Sequence, residues 1–395
     1  MDQNNNIAEQ VLGMARASLA DCILRLARYK LGHAVVGDHG EMVIHIFGIM
    51  NGLLHRDHAL MRQWTDMIFA LSSTPVRDKG CINLCLERVV EDGIVRDNLL
   101  DAFKTLHRPR LLLKTTMHGA KFATKALKAN SSVQSLGIDG TNTTPFKSEK
   151  TATALVAAVI KHPSLDIIAI ENCNLGRNKP VLSAIIPAVL SNISYIKLDG
   201  NVIDSYGATL IANCLAQNPS VKNLSLSNNA LVDRDAYKLA ASLKTNTTLR
   251  NLALEGNNIT HAGLKAFFFL VHGDGLNSIN DANHHCFIDL LADSEVNAFN
   301  DPILNRRVKI FSTIMYDVGC LGDAVPFELV PRLLIILQGR EITEDGEPVF
   351  NPLNLVFQYV REFNTTLFNQ SGMDRDESRS VDDISTGLGC AQLAD

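Results

Sequence analysis

The sequence lacks the features that mark nucleic-acid-binding and membrane proteins. Its 395 residues contain 37 Lys and Arg against 42 Asp and Glu, which gives a formal net charge of -5. Because nucleic-acid binders need a surplus of cations to neutralise phosphates, we expect no nucleic-acid partner. Apolar runs such as residues 333–337 are far too short to cross a bilayer. We therefore expect no membrane association.

The sequence also lacks the marks of a secreted, disulfide-bonded protein. Its eight cysteines show no framework spacing, which is typical of reduced thiols in a reducing compartment. The opening residues, MDQNNNIAEQ, contain neither the basic nor the apolar region of a secretory signal. We therefore expect a cytoplasmic protein.

Common catalytic and cofactor-binding motifs are missing as well. The sequence contains no phosphate-binding Gly-rich loop, no H-E-x-x-H, no G-x-S-x-G and no paired C-x-x-C. Five histidines lie within residues 33–58, but no acidic or thiol side chain accompanies them at a spacing typical of metal sites. We expect no catalytic activity, no cofactor and no metal.

What the sequence does contain is an internal repeat. Five segments share the pattern L-x-x-L-x-L-x-x-N/C/T and begin at residues 133, 165, 193, 221 and 249. They read VQSLGIDGT, LDIIAIENC, ISYIKLDGN, VKNLSLSNN and LRNLALEGN. A sixth, degenerate copy, LNSINDANH, begins at Leu276. Alternating apolar residues predict one short strand in each segment.

A helix is predicted between successive strands, because apolar residues recur there at helical spacing. They are Ala120, Ala123, Leu127; Ala152, Leu155, Val159; Ala208, Ile211, Leu215; Ala236, Leu239, Leu243; and Leu264, Phe267, Val271. The coil that begins at Leu165 departs from this pattern, since Pro180 and Pro187 occupy two of the apolar positions. We expect a shifted helix there, with Leu182, Ile186 and Val189 inward.

The ninth position of the repeat predicts a ladder of side-chain hydrogen bonds. Asn201, Asn229 and Asn257 hold this position in three coils, and Cys173 and Thr141 hold it in two others. A coil of one strand and one helix cannot bury its apolar face alone, so neighbouring coils must stack into a continuous core.

With a full helix in each 28-residue repeat, the array resembles the ribonuclease-inhibitor-like leucine-rich-repeat family. The stretch Asn283-His284-His285-Cys286, followed by Asn305-Arg306-Arg307, is similar to algal and diatom-type repeat proteins. The resemblance implies an α/β leucine-rich-repeat solenoid, a short arc with a curved parallel sheet inside and helices outside. Partners in that family usually bind the concave face, so the resemblance also implies protein binding.

Four parts of the chain follow from these patterns. We predict a helical N-terminal domain or cap over residues 1–116, the solenoid over 117–286, a helical C-terminal cap over 287–370 and a disordered acidic tail over 371–395. Leu111 and Leu113 are candidates for the start of one additional strand. Helical caps would cover the exposed ends of the array.

The predicted binding residues are the side chains that alternate with the inward ones. The seventh position of the strand segments is mainly acidic, which predicts a partner with a basic patch. Tyr195 is the candidate aromatic anchor. The full predicted site comprises Asp139, Glu171, Tyr195, Lys197, Asp199, Asn223, Ser225, Asn251, Glu255 and Asn280.

The leading functional hypothesis is a monomeric, cytoplasmic interaction module. A second hypothesis is a GTPase-activating protein for a Ran-like small GTPase, because a Ran-activating protein is built from the same repeat type. A third is a substrate adaptor of a ubiquitin ligase, with the N-terminal region as its docking domain. Repeat architecture specifies a fold strongly and a function weakly, so these alternatives stay open at this point.

Overall fold

The structure is a computed structural model of the full chain, which divides into two compact units. The first unit comprises residues 1–267 and His285–Leu291, and the second comprises Phe268–His284 and Ala292–Asp395. The residues described are 2–30, 41–47, 54, 57–73, 81–87, 93–114, 119–141, 145–146, 148–272, 282–283 and 285–291. The predicted C-terminal cap and acidic tail therefore lie almost wholly outside the described residues.

Nine parallel strands form one open sheet in strictly sequential order, with β1 and β9 at its edges. The strands are β1 Glu41–Phe47, β2 Cys81–Glu87, β3 Arg110–Lys114, β4 Ser135–Asp139, β5 Ile167–Glu171, β6 Tyr195–Lys197, β7 Asn223–Ser225, β8 Asn251–Ala253 and β9 Phe287–Ile288. This arrangement confirms the predicted α/β fold of a leucine-rich-repeat solenoid.

Nine described helices alternate with the strands. They are α1 Asp2–Lys30, α2 His58–Ser72, α3 Gly93–Thr105, α4 Gly119–Ala129, α5 Glu149–Lys161, α6 Lys179–Asn192, α7 Ser205–Leu215, α8 Asp233–Leu243 and α9 His261–His272. Each helix from α1 to α7 packs against the next one along the chain. Single-turn 3₁₀ helices follow β5 at Leu175–Arg177 and β9 at Asp289–Leu291.

The core lies between the sheet and the helices. Two columns of inward strand residues run across the sheet in register: Ile44, Leu84, Leu111, Leu136, Ile168, Ile196, Leu224, Leu252 and Ile288 in one, and Ile46, Leu86, Leu113, Ile138 and Ile170 in the other. All are buried, and so are the predicted inward residues of α4, α5, α7 and α8. In α9, Phe267 and Val271 are buried but Leu264 is only half-buried.

The N-terminal region differs from the helical domain or cap that we expected over residues 1–116. It contains three strands, β1 to β3, which belong to the same parallel sheet as the later strands. Glu41 of β1 pairs with Cys81 of β2, and Arg110 of β3 pairs with Ser135 of β4. The prediction of an additional strand at Leu111 and Leu113 is confirmed by β3. The sheet therefore begins at Glu41, and the helices of this region are return helices of further coils.

The C-terminal edge of the sheet also differs from the prediction. The partner of β8 is Phe287–Ile288, with Phe287 opposite Asn251, and not the segment that begins at Leu276. The carboxylate of Asp289 then accepts hydrogen bonds from the backbone N–H groups of Leu254 and Glu255, at 2.9 and 3.1 Å. These bonds satisfy the two backbone N–H groups that follow β8, beyond the paired residues of β9.

The predicted asparagine ladder is present between neighbouring coils. Oδ1 of Asn201 accepts from the backbone N–H of Cys173 at 2.9 Å, and its Nδ2 donates to the carbonyl of Ile170 at 2.6 Å. Asn229 repeats this pattern one coil later with the N–H of Asn201 and the carbonyl of Leu198. Asn257 likewise bonds the coil before it, through the N–H of Leu231 and the carbonyl of Leu226. Cys173 has the same place in its coil, where its thiol lies 3.6 Å from the carbonyl of Ile138.

A second row of asparagines at the C-terminal ends of helices escaped the sequence analysis. Nδ2 of Asn130 donates to the carbonyls of Phe103 and Leu106, at 2.6 and 2.8 Å. Nδ2 of Asn246 donates to the carbonyl of Leu215 at 2.7 Å. Helix ends leave carbonyl groups without intrahelical partners, and these side chains bond them across to the next coil.

The proline-containing coil forms the shifted helix that we predicted. Helix α6 begins after Asn178, whose side chain accepts from the N–H of Val181, and it buries Leu182, Ile186 and Val189. Pro180 lies in the first turn, where its missing N–H costs nothing. No helix of the described residues is long and apolar enough to cross a membrane.

Candidate functional site

The face of the sheet opposite the helices, called the open face below, is built from the strand residues that alternate with the core. Three columns cross it, at the third, fifth and seventh positions of each strand segment. Nine of the ten predicted site residues are described, and all nine belong to these columns. Asn280 lies outside the described residues.

The third and fifth columns bring predicted residues together by direct strand pairing. Tyr195 is opposite Asn223, which is opposite Asn251, while Lys197 is opposite Ser225. Nδ2 of Asn251 donates to Oδ1 of Asn223, so these two amides restrain one another. Tyr195 is 46% exposed and therefore offers a large aromatic surface.

The seventh column carries the acidic residues, in what we call the acidic column: Asp139, Glu171, Asp199 and Glu255. Asp139 is opposite Glu171 in the register of β4 and β5. The column continues from Glu171 to Asp199 in the next coil, where the backbone N–H of Asn172 donates to the carbonyl of Asp199 at 2.9 Å. Neighbouring parallel strands lie about 4.8 Å apart, so successive carboxylates are close enough to repel one another.

Two members of the acidic column also have structural partners. Asp139 accepts from the hydroxyl of Thr141 at 2.7 Å and from Nδ2 of Asn172 at 3.2 Å. Asp199 accepts from the hydroxyl of Ser225 at 2.6 Å and from the N–H of Ser227 at 3.0 Å. Burial raises the pKa of Asp139, but the bonds from Thr141 and Asn172 outweigh it and hold that pKa below its usual value.

Glu171 is placed differently, between Asp139 and Asp199. Burial raises the pKa of its carboxyl, and the charges of Asp199 and Asp139 raise it further. Lys197 and Lys114 lower the pKa of Glu171 but do not cancel the rise. The surroundings of Glu171 thus disfavour its charged form, whereas those of Asp139 favour it.

The structure extends the seventh column beyond the residues that the sequence singled out. Lys114 of β3 is opposite Asp139, and Glu87 of β2 is opposite Lys114. Oε2 of Glu87 lies 3.1 Å from Nε2 of His45, which belongs to the fifth column of β1. The column therefore alternates in charge over β2 to β4 and is acidic over β4 to β6.

An apolar area that the sequence analysis missed lies beside the acidic column. We call it the Leu112 patch, and it comprises Leu112, Gly137, Ala169 and Ile167. Leu112, Gly137 and Ala169 are opposite one another in the fifth column. A Cβ at Gly137 would lie 2.5 Å from Cδ1 of Leu112, so the leucine side chain extends over the glycine. Ile167 is opposite Tyr195, at the border of this patch.

The arrangement suits binding at a surface. Among the described residues no three His, Cys, Asp or Glu side chains are close enough together to hold a metal ion. The described cysteines Cys22, Cys85 and Cys173 are free thiols, and burial raises the pKa of each. A raised pKa leaves a thiol protonated and a poor nucleophile.

Residues 245–268 match the family model of a leucine-rich repeat. No curated protein matches the chain in sequence. A protein from Bacteroides fragilis of known crystal structure is similar at 12% identity and a TM-score of 0.33, over 48% of this chain and 62% of that chain. The matched repeat contains β8 and the beginning of α9, a strand and a helix of the array described above. The described residues thus contain one matched leucine-rich repeat within a sheet and helices that have the α/β fold of a leucine-rich-repeat solenoid.

Proposed function

We propose that this protein is an interaction module that binds a protein partner on its open face. The observation that carries the proposal is the exposure of that face, where Tyr195 is 46% exposed and lies among charged and hydrogen-bonding side chains. Protein interfaces favour an aromatic anchor surrounded by polar groups. The face is broad and built from many strands, which suits a protein surface better than a small metabolite.

The binding residues of this proposal are those predicted from the sequence, from Asp139 to Glu255. Their backbones belong to paired strands, and the asparagine ladder holds neighbouring coils in register. A rigid array lowers the entropic cost of association because fewer groups are ordered on binding.

The partner in this proposal carries a basic patch, because the acidic column gives the open face a negative stripe over β4 to β6. Complementary charge steers association and disfavours acidic competitors. We further propose the ribonuclease-inhibitor-like subtype, a cytoplasmic location, a monomeric chain and no catalytic activity. The subtype is supported by the full helix between β6, β7 and β8.

Affinity capture with two baits tests the proposal. The first bait is the wild-type chain, and the second combines Tyr195→Ala with Glu255→Lys, two exposed changes on the open face. We expect the second bait to lose its specific partners from a cell extract by about tenfold in quantitative mass spectrometry, the scale of one lost hot spot.

The matched control is Asp101→Lys on α3, which reverses a charge that is 72% exposed on the helical side. This control should retain the partners, and circular dichroism should show that all baits are folded. If the open-face bait and the wild-type chain captured the same proteins in the same amounts, the open face would not be the binding surface.

A further inference from the structure

The open face over β3 to β5 pairs an apolar or small residue with a charged one on each strand. Leu112 precedes Lys114 by two residues, Gly137 precedes Asp139 and Ala169 precedes Glu171. Residues two apart in a strand share a face and lie about 7 Å apart. The Leu112 patch and the acidic column are therefore adjacent, parallel bands on one surface.

The apolar band is unusual for an exposed sheet. Ile167, Ala169 and Leu112 are only half-buried, although each is apolar. Tyr195, opposite Ile167, extends this band with a ring that is 46% exposed. Removal of apolar area from water is favourable, so this is the part of the face that gains most from contact with an apolar side chain.

The charged band gains most from a cation at Glu171. Asp199 and Asp139 oppose the charge of this carboxylate from both sides, and Lys197 and Lys114 relieve it only in part. Asp139 already accepts a hydrogen bond from Thr141 in its own turn, and Asp199 accepts one from Ser225 of the next strand. An incoming guanidinium or ammonium would be attracted by three carboxylates and would relieve the repulsion among them.

We propose that the open face over β3 to β6 receives a segment of a partner protein that places a large apolar side chain on the Leu112 patch and an arginine or lysine beside Glu171. This inference rests on the proposed function and specifies the chemistry of the partner. The separation of the two bands, about 7 Å, matches residues two apart in an extended segment or one turn apart in a helix. An acidic segment is disfavoured at the same place by the three carboxylates.

Selection from a random library of twelve-residue peptides displayed on phage, with the full chain as target at neutral pH, tests this inference. We expect an enriched consensus in which Arg or Lys lies within four positions of a large apolar residue. A synthetic peptide with that consensus should bind Glu171→Gln and Leu112→Ala each about tenfold more weakly than the wild-type chain.

Two exposed residues of α1 provide matched controls. Glu9→Gln repeats the charge removal, and Leu24→Ala repeats the truncation at a leucine that is 49% exposed. Neither should change the affinity of the peptide by more than about twofold. Thermal unfolding of every variant checks that each is folded. If Leu112→Ala is unfolded, Glu171→Gln alone still tests the inference.

Three outcomes would overturn the inference: an acidic consensus or none, a consensus peptide whose affinity is unchanged in both open-face variants, or a salt-sensitive dimer of the wild-type chain that Glu171→Gln abolishes. The last result, measured by sedimentation velocity, would assign the surface to a second copy. If extract partners still depended on Tyr195 and Glu255, the interaction function would stand while this partner chemistry failed.

Discussion

Asn201 and Asn229 are one coil apart, and the backbone N–H of Asn201 donates to Oδ1 of Asn229 over 3.0 Å. The same oxygen accepts from the N–H of Ile203 at 3.0 Å. Each asparagine thus satisfies backbone groups of the coil before it, and Asn201 is itself fully buried. The ladder links the stacked turns where the strands end.

Removal of one asparagine from the ladder should be costly. Asn201→Ala leaves the buried N–H of Cys173 and the carbonyl of Ile170 without their side-chain partner. Because buried, unsatisfied polar groups each cost about 1–3 kcal/mol, we expect the free energy of unfolding to fall by roughly 2–4 kcal/mol. Urea denaturation monitored by circular dichroism measures the change.

Asn258→Ala is the matched control for the ladder, because Asn258 is exposed in a turn two coils further along the array. This substitution should change the free energy of unfolding by less than about 0.5 kcal/mol. Equal losses in the two variants would show that the ladder contributes nothing specific.

Two glycines should respond to alanine in opposite directions. A Cβ at Gly176 would overlap the backbone carbonyl of Val202 in the next coil, so Gly176→Ala must push two coils apart. Such overpacking costs about 1–3 kcal/mol. Gly13 lies within α1 with no atom within 4 Å of an added Cβ, and there alanine should stabilise by about 0.5–1 kcal/mol.

Urea midpoints of the two glycine variants against the wild-type chain measure this difference. The prediction concerns its sign, because both variants add the same methyl group. A rise in the midpoint for Gly176→Ala would mean that the two coils are not in contact at this point.

The central coils were predictable because their signals agree. Strand alternation recurs from Val133 to Asn257, helical spacing accompanies it in all but the proline-containing coil, and asparagine holds the ninth position in the last three coils. The resulting strands, return helices and ladder are all present. The shifted helix α6 was predictable because Leu182, Ile186 and Val189 offer an inward register that leaves Pro187 on the exposed side.

The first two strands were not recognised, although Met42, Ile44 and Ile46 alternate as an inward strand should. No ninth-position asparagine follows them, and their apolar residues also fit a longer helical pattern. Lys114 and the Leu112 patch were missed for another reason, because their residues align into columns only once the register of β3 against β4 and β5 is known. Pairing of Phe287 with Asn251 depends on long-range packing and has no local signal.

Thiol labelling should discriminate among the described cysteines. Burial raises the pKa of Cys22 to about 12 and raises that of Cys173 as well. Burial also raises the pKa of Cys214, but this thiol is only half-buried and so more accessible to a reagent. Since the thiolate is the nucleophile, iodoacetamide at pH 8 should modify Cys214 of the native chain well before Cys22 and Cys173. Peptide mapping by mass spectrometry follows each site, and labelling in urea should remove the difference.

The charge at Glu171 predicts how stability depends on pH. Burial and the charges of Asp199 and Asp139 raise the pKa of Glu171 in the folded chain above its unfolded value. Its contribution to stability is therefore fully present below the unfolded pKa and is lost as the pH rises through the folded pKa. At pH 7 the carboxylate is charged in unfavourable surroundings, so Glu171→Gln should raise the melting temperature.

The gain should be modest, below about 1 kcal/mol, because the side chain is only half-buried and solvent screens its neighbours. Thermal melts from pH 7 downward should show the difference between variant and wild type shrinking as Glu171 becomes protonated. Glu9→Gln on α1 removes the same charge from an exposed helix and should show no such dependence on pH. A wild-type chain more stable than Glu171→Gln at pH 7 would mean that Lys114 and Lys197 outweigh the two aspartates. A cation from a partner would then bring no further stabilisation to Glu171.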